Sequence, residues 1–459
     1  MSYRGQLAVV EPGGASGEAV PASVDVGQNT LTIVPERGDP ITLAYIDVDD
    51  VFDDDYTLRL TDFAGRRYDL SMLGRAYGQV LADVRQLRND LLQHDLLLTG
   101  VDLQDTFPAR FLGQDGSEPV ACEVRLFEDL MVVVPERGVM WGLPYSFVDE
   151  IRFDEELYQT HVVTDDGGDH VFGMAGLRSQ ELPGELRRLL DALATRTGRS
   201  LGALVPGLEP AVLSRLAGRM RDGRAVQQRE VDGIAAGVWP RLVDAVVGTP
   251  ELRSTFDLLA SMCPPGWPAL GVKAVVTEEE GSPGGVGSGE DRVEPEPPAA
   301  DDGPSAEEGG ATPEGIAGVT EDETGRDRTI LWFFTPLADG GVPRNAVAQE
   351  ITSEKGHATY VFRLMDPEAF RAAQAAGPDA VAGAVSAAVA RLNRALLTLN
   401  FRREPIYLPD DQIATSRYAK YRVALRRLDY LQWTRAAFLG RAIHNATWEQ
   451  QLHDLVARA

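Results

Sequence analysis

A five-residue string occurs twice in this chain, and the offset between its copies limits the possible folds. Val34-Pro35-Glu36-Arg37-Gly38 returns 100 residues later as Val134-Pro135-Glu136-Arg137-Gly138. The register continues without a gap: Leu43 matches Leu143, Tyr45 matches Tyr145, Val48 matches Val148 and Asp49 matches Asp149. Between 31–52 and 131–152, 9 of 22 positions are identical. A period of roughly 20–50 residues would make a solenoid of stacked units. A period of 100 is domain-sized, so the sequence predicts two copies of one domain in tandem.

Each copy reads as strands followed by one helix. In the second, Val124–Phe127 and Leu130–Val134 are apolar, β-rich runs. Pro135-Glu136-Arg137-Gly138 supplies a tight turn, and Asp165-Asp166-Gly167-Gly168 a hairpin turn before Val171-Phe172. Leu182, Leu186, Leu189, Leu190 and Leu193 form the stripe of a closing helix. The first copy repeats the plan, with a turn at Ala64-Gly65 and a helix over about 76–92 carrying Val80, Val84, Leu87 and Leu91.

Several antiparallel strands capped by a C-terminal helix resemble the pleckstrin-homology-like superfold. Trp141-Gly142-Leu143-Pro144-Tyr145-Ser146-Phe147-Val148-Asp149-Glu150-Ile151, and its counterpart Leu43–Val51, resemble the "apolar-Pro-Tyr-x-x-Ile" strand of bacterial PH and GRAM-like domains; Ala44 stands where that pattern has Pro. The resemblance covers roughly 18–196. It implies modules that bind peptides, proteins or lipid head groups and carry no catalytic set. Head-group binding needs converging cations, whereas Gln114–Glu118 and Phe127–Asp129 are acidic. Arg37 and Arg137 stand singly beside Glu36 and Glu136, as candidate partner contacts or as parts of a shared turn.

The remaining chain divides by composition. Residues 199–276 read as a helical segment, with helices over 209–220 and 225–239 and a third starting at Thr249-Pro250-Glu251. Five arginines between Ser214 and Arg229 face only Asp222, which suggests a solvated face. Residues 277–328 hold 16 acidic residues against three arginines, half of the net charge of −26; this Pro-, Gly- and Glu-rich stretch is expected to be a disordered linker. It would act as a tether or dock within the molecule. From 329 onward, Ile330–Phe334, Val347–Ile351 and Thr359–Leu364 suggest a small antiparallel sheet, followed by an Ala-rich helix over 367–399 interrupted near Gly377-Pro378. The domain plan is therefore 1–98, 99–198, 199–276, 277–328 and 329–459, in an α+β chain.

A final helix over 413–441 is expected from Tyr418, Tyr421, Leu425, Leu428 and Leu431 at spacings of 3 and 4. Its cations set Arg417, Lys420, Arg422, Arg426 and Arg427, with Trp433, as candidate partner-binding residues. Such a face suits a packed helix with a cationic outer side, a protein groove, the acidic stretch of this chain, a membrane surface or, with its aromatics, nucleic acid.

No phosphate-binding loop, nucleophile elbow or metalloprotease motif is present, and no cofactor or metal site is expected. Cys122 and Cys263 are too few for a disulfide framework. No signal-peptide core or run of 18 apolar residues is evident, so a cytoplasmic protein without an integral membrane span is expected. These readings converge on a non-enzymatic adaptor or scaffold with protein or peptide partners. Nucleic-acid association through the last helix is the alternative, and an enzyme with an unrecognised C-terminal site is the second.

Overall fold

The duplicated sequence folds into two sheets of the same connectivity. The computed structural model describes residues 2–15, 17–96, 98, 102–113, 118–136, 138, 140–173, 176–248, 250–276, 320–321, 327–339, 342–351, 358–399, 404–413 and 421–459. Copy one contains β1 (Ser2–Val10), β2 (Val20–Val26), β3 (Thr30–Pro35), β4 (Ile41–Ala44), β5 (Val48–Asp54), β6 (Thr57–Asp62), β7 (Arg67–Ser71) and α1 (Tyr77–Asp95). Its antiparallel order is β4-β3-β2-β1-β7-β6-β5. β1 joins the two halves: Leu7 lies opposite Val20 on one side and Leu70 on the other.

Copy two repeats this with β8 (Leu103–Phe111), β9 (Val120–Phe127), β10 (Leu130–Pro135), β11 (Trp141–Pro144), β12 (Val148–Asp154), β13 (Gln159–Thr164), β14 (Asp169–Gly173) and α2 (Glu181–Leu204). The order is β11-β10-β9-β8-β14-β13-β12. Alternation along the strands sends Leu31, Ile33, Leu58 and Leu60 inward in copy one, against Val80 and Val84 of α1. In copy two, Leu182, Leu186, Leu189 and Leu193 of α2 cover Phe107, Val124 and Phe172. The repeated string ends β3 and β10. Gly38 (φ +109°) and Gly138 (φ +92°) take the left-handed turn that a Cβ would resist.

After copy two come α3 (Pro210–Arg219), β15 (Val226–Gln227), α4 (Gln228–Ile234), α5 (Val238–Val246), α6 (Pro250–Ser261) and β16 (Ala269–Val276). Residues 199–276 are thus mostly helical but end in a strand that the helical reading did not include. β16 pairs along its length with β18 (Asp327–Asp339), from Ala269 opposite Phe334 to Val276 opposite Asp327. Chain on both sides of the acidic stretch therefore builds one sheet. The disordered-linker expectation falls largely outside the described residues; within it β17 (Thr320–Glu321) pairs with β18.

The third sheet runs β15-β16-β18-β19-β20-β21, with β19 (Val342–Ile351), β20 (Ala358–Arg363) and β21 (Phe438–Ile443). Then come α7 (Pro367–Ala376) and α8 (Pro378–Thr398). Asp366 caps α7 by accepting from the Glu368 and Ala369 N–H groups, and Gly377 (φ +113°) and Pro378 enforce the break before α8. Within α8, Val381, Val385, Val389, Leu392 and Leu396 enter the core over this sheet. This 21-residue helix is long and apolar enough to cross a membrane, with half of its apolar window buried within the protein.

The last stretch corrects the expected single helix over 413–441. It holds α9 (Glu404–Tyr407), α10 (Asp410–Ile413), α11 (Arg422–Arg427), α12 (Asp429–Ala437), β21 (Phe438–Ile443) and α13 (Trp448–Val456). Extended backbone at Leu428 (φ −99°, ψ 100°) separates α11 from α12. Phe438–Ile443 leaves the helical path to pair with β20, Phe362 opposite Phe438 and Ala358 opposite Ile443. Sheet pairing across about 80 residues of sequence thus overrides a local helical stripe.

Arg221–Gly223 forms the junction between copy two and the third sheet. Arg221 donates to the Tyr145 and Val148 carbonyls, and Arg224 to Asp149 at 2.6 Å. Asp222, at φ +44°, receives the Ser146 hydroxyl on its carbonyl and gives its N–H to Thr197. Arg215 and Arg229 also bind within the fold, to the Ile234 carbonyl and the Ser386 hydroxyl. Of the five arginines expected on a solvated face, Arg215, Arg219 and Arg229 are exposed, while Arg221 and Arg224 tie the junction to copy two.

Candidate functional site

The sequence-derived site residues do not converge. Arg137, Arg417 and Lys420 lie outside the described residues. Arg37 is exposed beyond the end of β3, and Arg422 is exposed at the start of α11. Arg426 places its guanidinium 5.0 Å from the Phe63 ring of copy one. Arg427 has a side chain only 3% exposed; it donates to the Val48 and Asp49 carbonyls and meets the Asp49 carboxylate at 3.1 Å. Arg88 of α1 donates to the same two carbonyls. Burial, reinforced by Arg427 beside it, pushes the Arg88 guanidinium down to about 10.

Arg427 is therefore a structural arginine docking the C-terminal part on copy one. Arg221 and Arg224 make the corresponding contacts at Val148 and Asp149. The repeated Val-Asp pair thus receives an arginine in both copies. Replacing Arg427 by Ala is expected to cost about 2 kcal/mol, because its charge-assisted hydrogen bonds to the Val48 and Asp49 carbonyls and the Asp49 carboxylate are lost while Arg88 keeps its own. Amide exchange at β5 should accelerate in this variant; unchanged exchange would remove Arg427 from the docking account.

Trp433 leads to a cleft. It sits half-buried on α12, with the Arg391 guanidinium of α8 stacked 4.2 Å from its ring centroid. Beside them a cavity of about 880 Å³ opens between β11, α8 and the start of α12, within the usual size range of ligand pockets. β11 ends the copy-two sheet and, among the described residues, pairs only with β10. Ala387, Ala390 and Ala395 of α8 form an apolar wall opposite it. Trp141 forms another wall, packed against His170 (4.9 Å) and Phe111 (5.5 Å).

The charges at this cleft are unevenly matched. Arg394 binds Asp166 at 2.5 Å and also pairs with Asp165, whose side chain is 8% exposed. Burial raises the Asp165 carboxyl, against the pull of Arg394 and Arg224. Burial also opposes ionisation of Asp166, but the Thr164 hydroxyl, Arg394 and the Gly168 N–H outweigh it and hold this carboxyl at about 2. Burial lowers His170, and its Nδ1 is buried without a hydrogen-bond partner. Arg391 is exposed at the rim, without a carboxylate partner among the described residues.

Asp166 gives a pH signature. Its folded-state value is depressed, so its contribution is present above the unfolded value near 3.8 and is lost as pH falls toward about 2. Arg394→Ala removes the arginine's share of that contribution, leaving the Thr164 hydroxyl and the Gly168 N–H, and leaves Asp165 with Arg224 at 3.6 Å. The expected cost at pH 7 is about 3 kcal/mol, with a weaker loss of stability between pH 4 and 2 than in the parent. Parallel acid-unfolding curves would contradict this.

Neither thiol is poised for nucleophilic work. Burial pushes Cys122 up to about 11 and raises Cys263 as well. No family model matches the chain, and no curated protein matches it.

Proposed function

We propose that the chain is a non-enzymatic interaction adaptor built on tandem PH-like domains, which holds an extended segment of a protein partner in the cleft beside β11. The carrying observation is the edge of β11: a strand end of the sheet facing an apolar helix wall across a ligand-sized cleft. Such an edge offers backbone N–H and C=O groups to an added strand, while the flanking walls select its side chains. The strand order shared by the two copies, with a helix closing each, supports the PH-like reading.

The nucleic-acid alternative has weaker support, because the cations on which it rests are divided. Arg427 and Arg435 bind within the protein, and Arg441 lies on β21 over the Tyr407 ring.

The test is selection of ten-residue random peptides on the full chain, with binding re-measured on Ala390→Trp. Tryptophan at this position keeps the helix and fills the cleft. Peptides that bind the parent and lose at least tenfold on Ala390→Trp support the reading. Equal binding to both would sink it.

A further inference from the structure

We infer that the β11 cleft selects a partner segment bearing an Asp or Glu side chain, and that Arg391, held flat against Trp433, is the group that reads it. This rests on the adaptor reading and adds the chemistry of the ligand.

The inference comes from balancing the charged groups of the cleft. Arg394 is committed to Asp165 and Asp166. Arg427 is committed through Nη2 to Asp49, while its buried Nη1 and Nε atoms have no hydrogen-bond acceptor. His170 keeps a buried Nδ1 without a partner. Asp429 is an exposed acid at the start of α12. Arg391 sees no carboxylate among the described residues; its guanidinium is shifted down by desolvation alone. Three acids and three arginines line the cleft, but Arg391 is the lining arginine that meets no carboxylate among the described residues, so an occupant that reaches it brings an acceptor with negative charge.

Geometry makes Arg391 the reader. Stacking on Trp433 fixes the plane of its guanidinium and leaves the donor edges of the fork free. A carboxylate meets such a fork with two parallel hydrogen bonds. A phosphate dianion calls for several converging cations, and here the neighbouring arginines are already neutralised. Trp433 is a positioning residue: it orients the guanidinium and makes no claim on the ligand.

Peptide selection on the full chain tests this with four further variants. The parent is expected to select peptides with one fixed Asp or Glu position among apolar neighbours. Arg391→Met should weaken those peptides by about tenfold to a hundredfold, the worth of a charge-assisted pair, and should erase the acidic preference in a fresh selection. Arg391→Lys should retain part of the affinity, since the charge remains and the fork is lost. Trp433→Leu should lose the preference and Trp433→Phe should keep it, at matched thermal stability. Arg391 is exposed, so its replacement leaves the fold intact.

Peptides that are lost on Ala390→Trp yet carry no acidic position, and bind Arg391→Met as well as the parent, would overturn this inference and leave the cleft reading standing. Peptides indifferent to Ala390→Trp would remove both. If selection succeeds only after the acidic residues between Glu278 and Glu314 are replaced by Ser or Gln, the occupant is this chain's own acidic stretch, and the assignment to a partner falls.

Discussion

Lys273→Met is expected to destabilise the protein by roughly 3–5 kcal/mol at pH 7, among the largest effects of any single surface-neutral replacement. Only three lysines occur in the sequence, and this one is placed inside the fold. Its ammonium lies 3.5 Å from Asp222 and 3.8 Å from Asp129, with side chains only 16%, 4% and 13% exposed. Asp129 belongs to the β9–β10 turn of copy two, Asp222 to the junction, and Lys273 to β16 of the third sheet. One cation thus compensates two carboxylates from separate parts of the chain. Methionine keeps the volume and removes the charge, leaving both acids enclosed without it, and an uncompensated buried charge costs more than the pair contributes.

The pH dependence of this site has a definite sign. Burial alone would lower the Lys273 ammonium, but Asp222 and Asp129 together outweigh it and raise the group above its ordinary 10.5. A raised folded-state value means that the contribution is fully present below the unfolded value, and fades as pH climbs through the folded one. The parent should therefore lose stability above about pH 10.5, while Lys273→Met should lack that component. Adding Asp222→Asn should recover part of the loss. Urea unfolding at pH 7 and pH 11 reads all three; a Lys273→Met variant as stable as the parent would show that the triad contributes nothing.

What the sequence disclosed depended on the range of the interaction. The tandem copies were legible because a repeat is a comparison of the chain with itself. The inward stripe of α2 and the break at Gly377-Pro378 were legible because a helix is a local object with local stop signals. β16 was harder: Ala269–Val276 is β-rich, but its partner Asp327–Asp339 lies across the long acidic stretch. The helix expected over 413–441 failed for the same reason. Its spacing of apolar residues is helical as far as Leu431, and nothing local announces that Phe438–Ile443 completes a sheet against β20. The cleft carried no motif because its walls come from Trp141, Ala390 and Tyr430, which only tertiary packing brings together. Trp433 was singled out by its place among cations. Arg391 was not, since its significance lies in being unpaired, a property of the folded surroundings.

Gly271→Ala is expected to cost about 3 kcal/mol or more, through overpacking at a site with no room to yield. Gly271 on β16 lies directly opposite Trp332 on β18, and the indole folds over it. A Cβ at Gly271 would fall within the van der Waals envelope of Trp332, against Cε2, Cζ2 and Nε1. The ring cannot retreat. Trp332 is 1% exposed, and its far edge already meets Gly223, where an added Cβ would lie 2.7 Å from Cη2. Two glycines from different segments thus clamp one indole, an aromatic covering the bare backbone of a neighbouring strand. Trp332→Leu alone should be destabilising through the cavity it leaves. Combined with Gly271→Ala it should cost less than the sum of the two, because each change relieves the defect of the other. Alternation along β16 puts Lys273 on the same face as Gly271, so displacing Trp332 and Gly223 also disturbs Asp222, the principal partner of that lysine. Gly271→Ala and Lys273→Met should therefore be sub-additive in urea unfolding. Strict additivity would mean that the indole clamp and the buried triad are separate structures that merely share a strand.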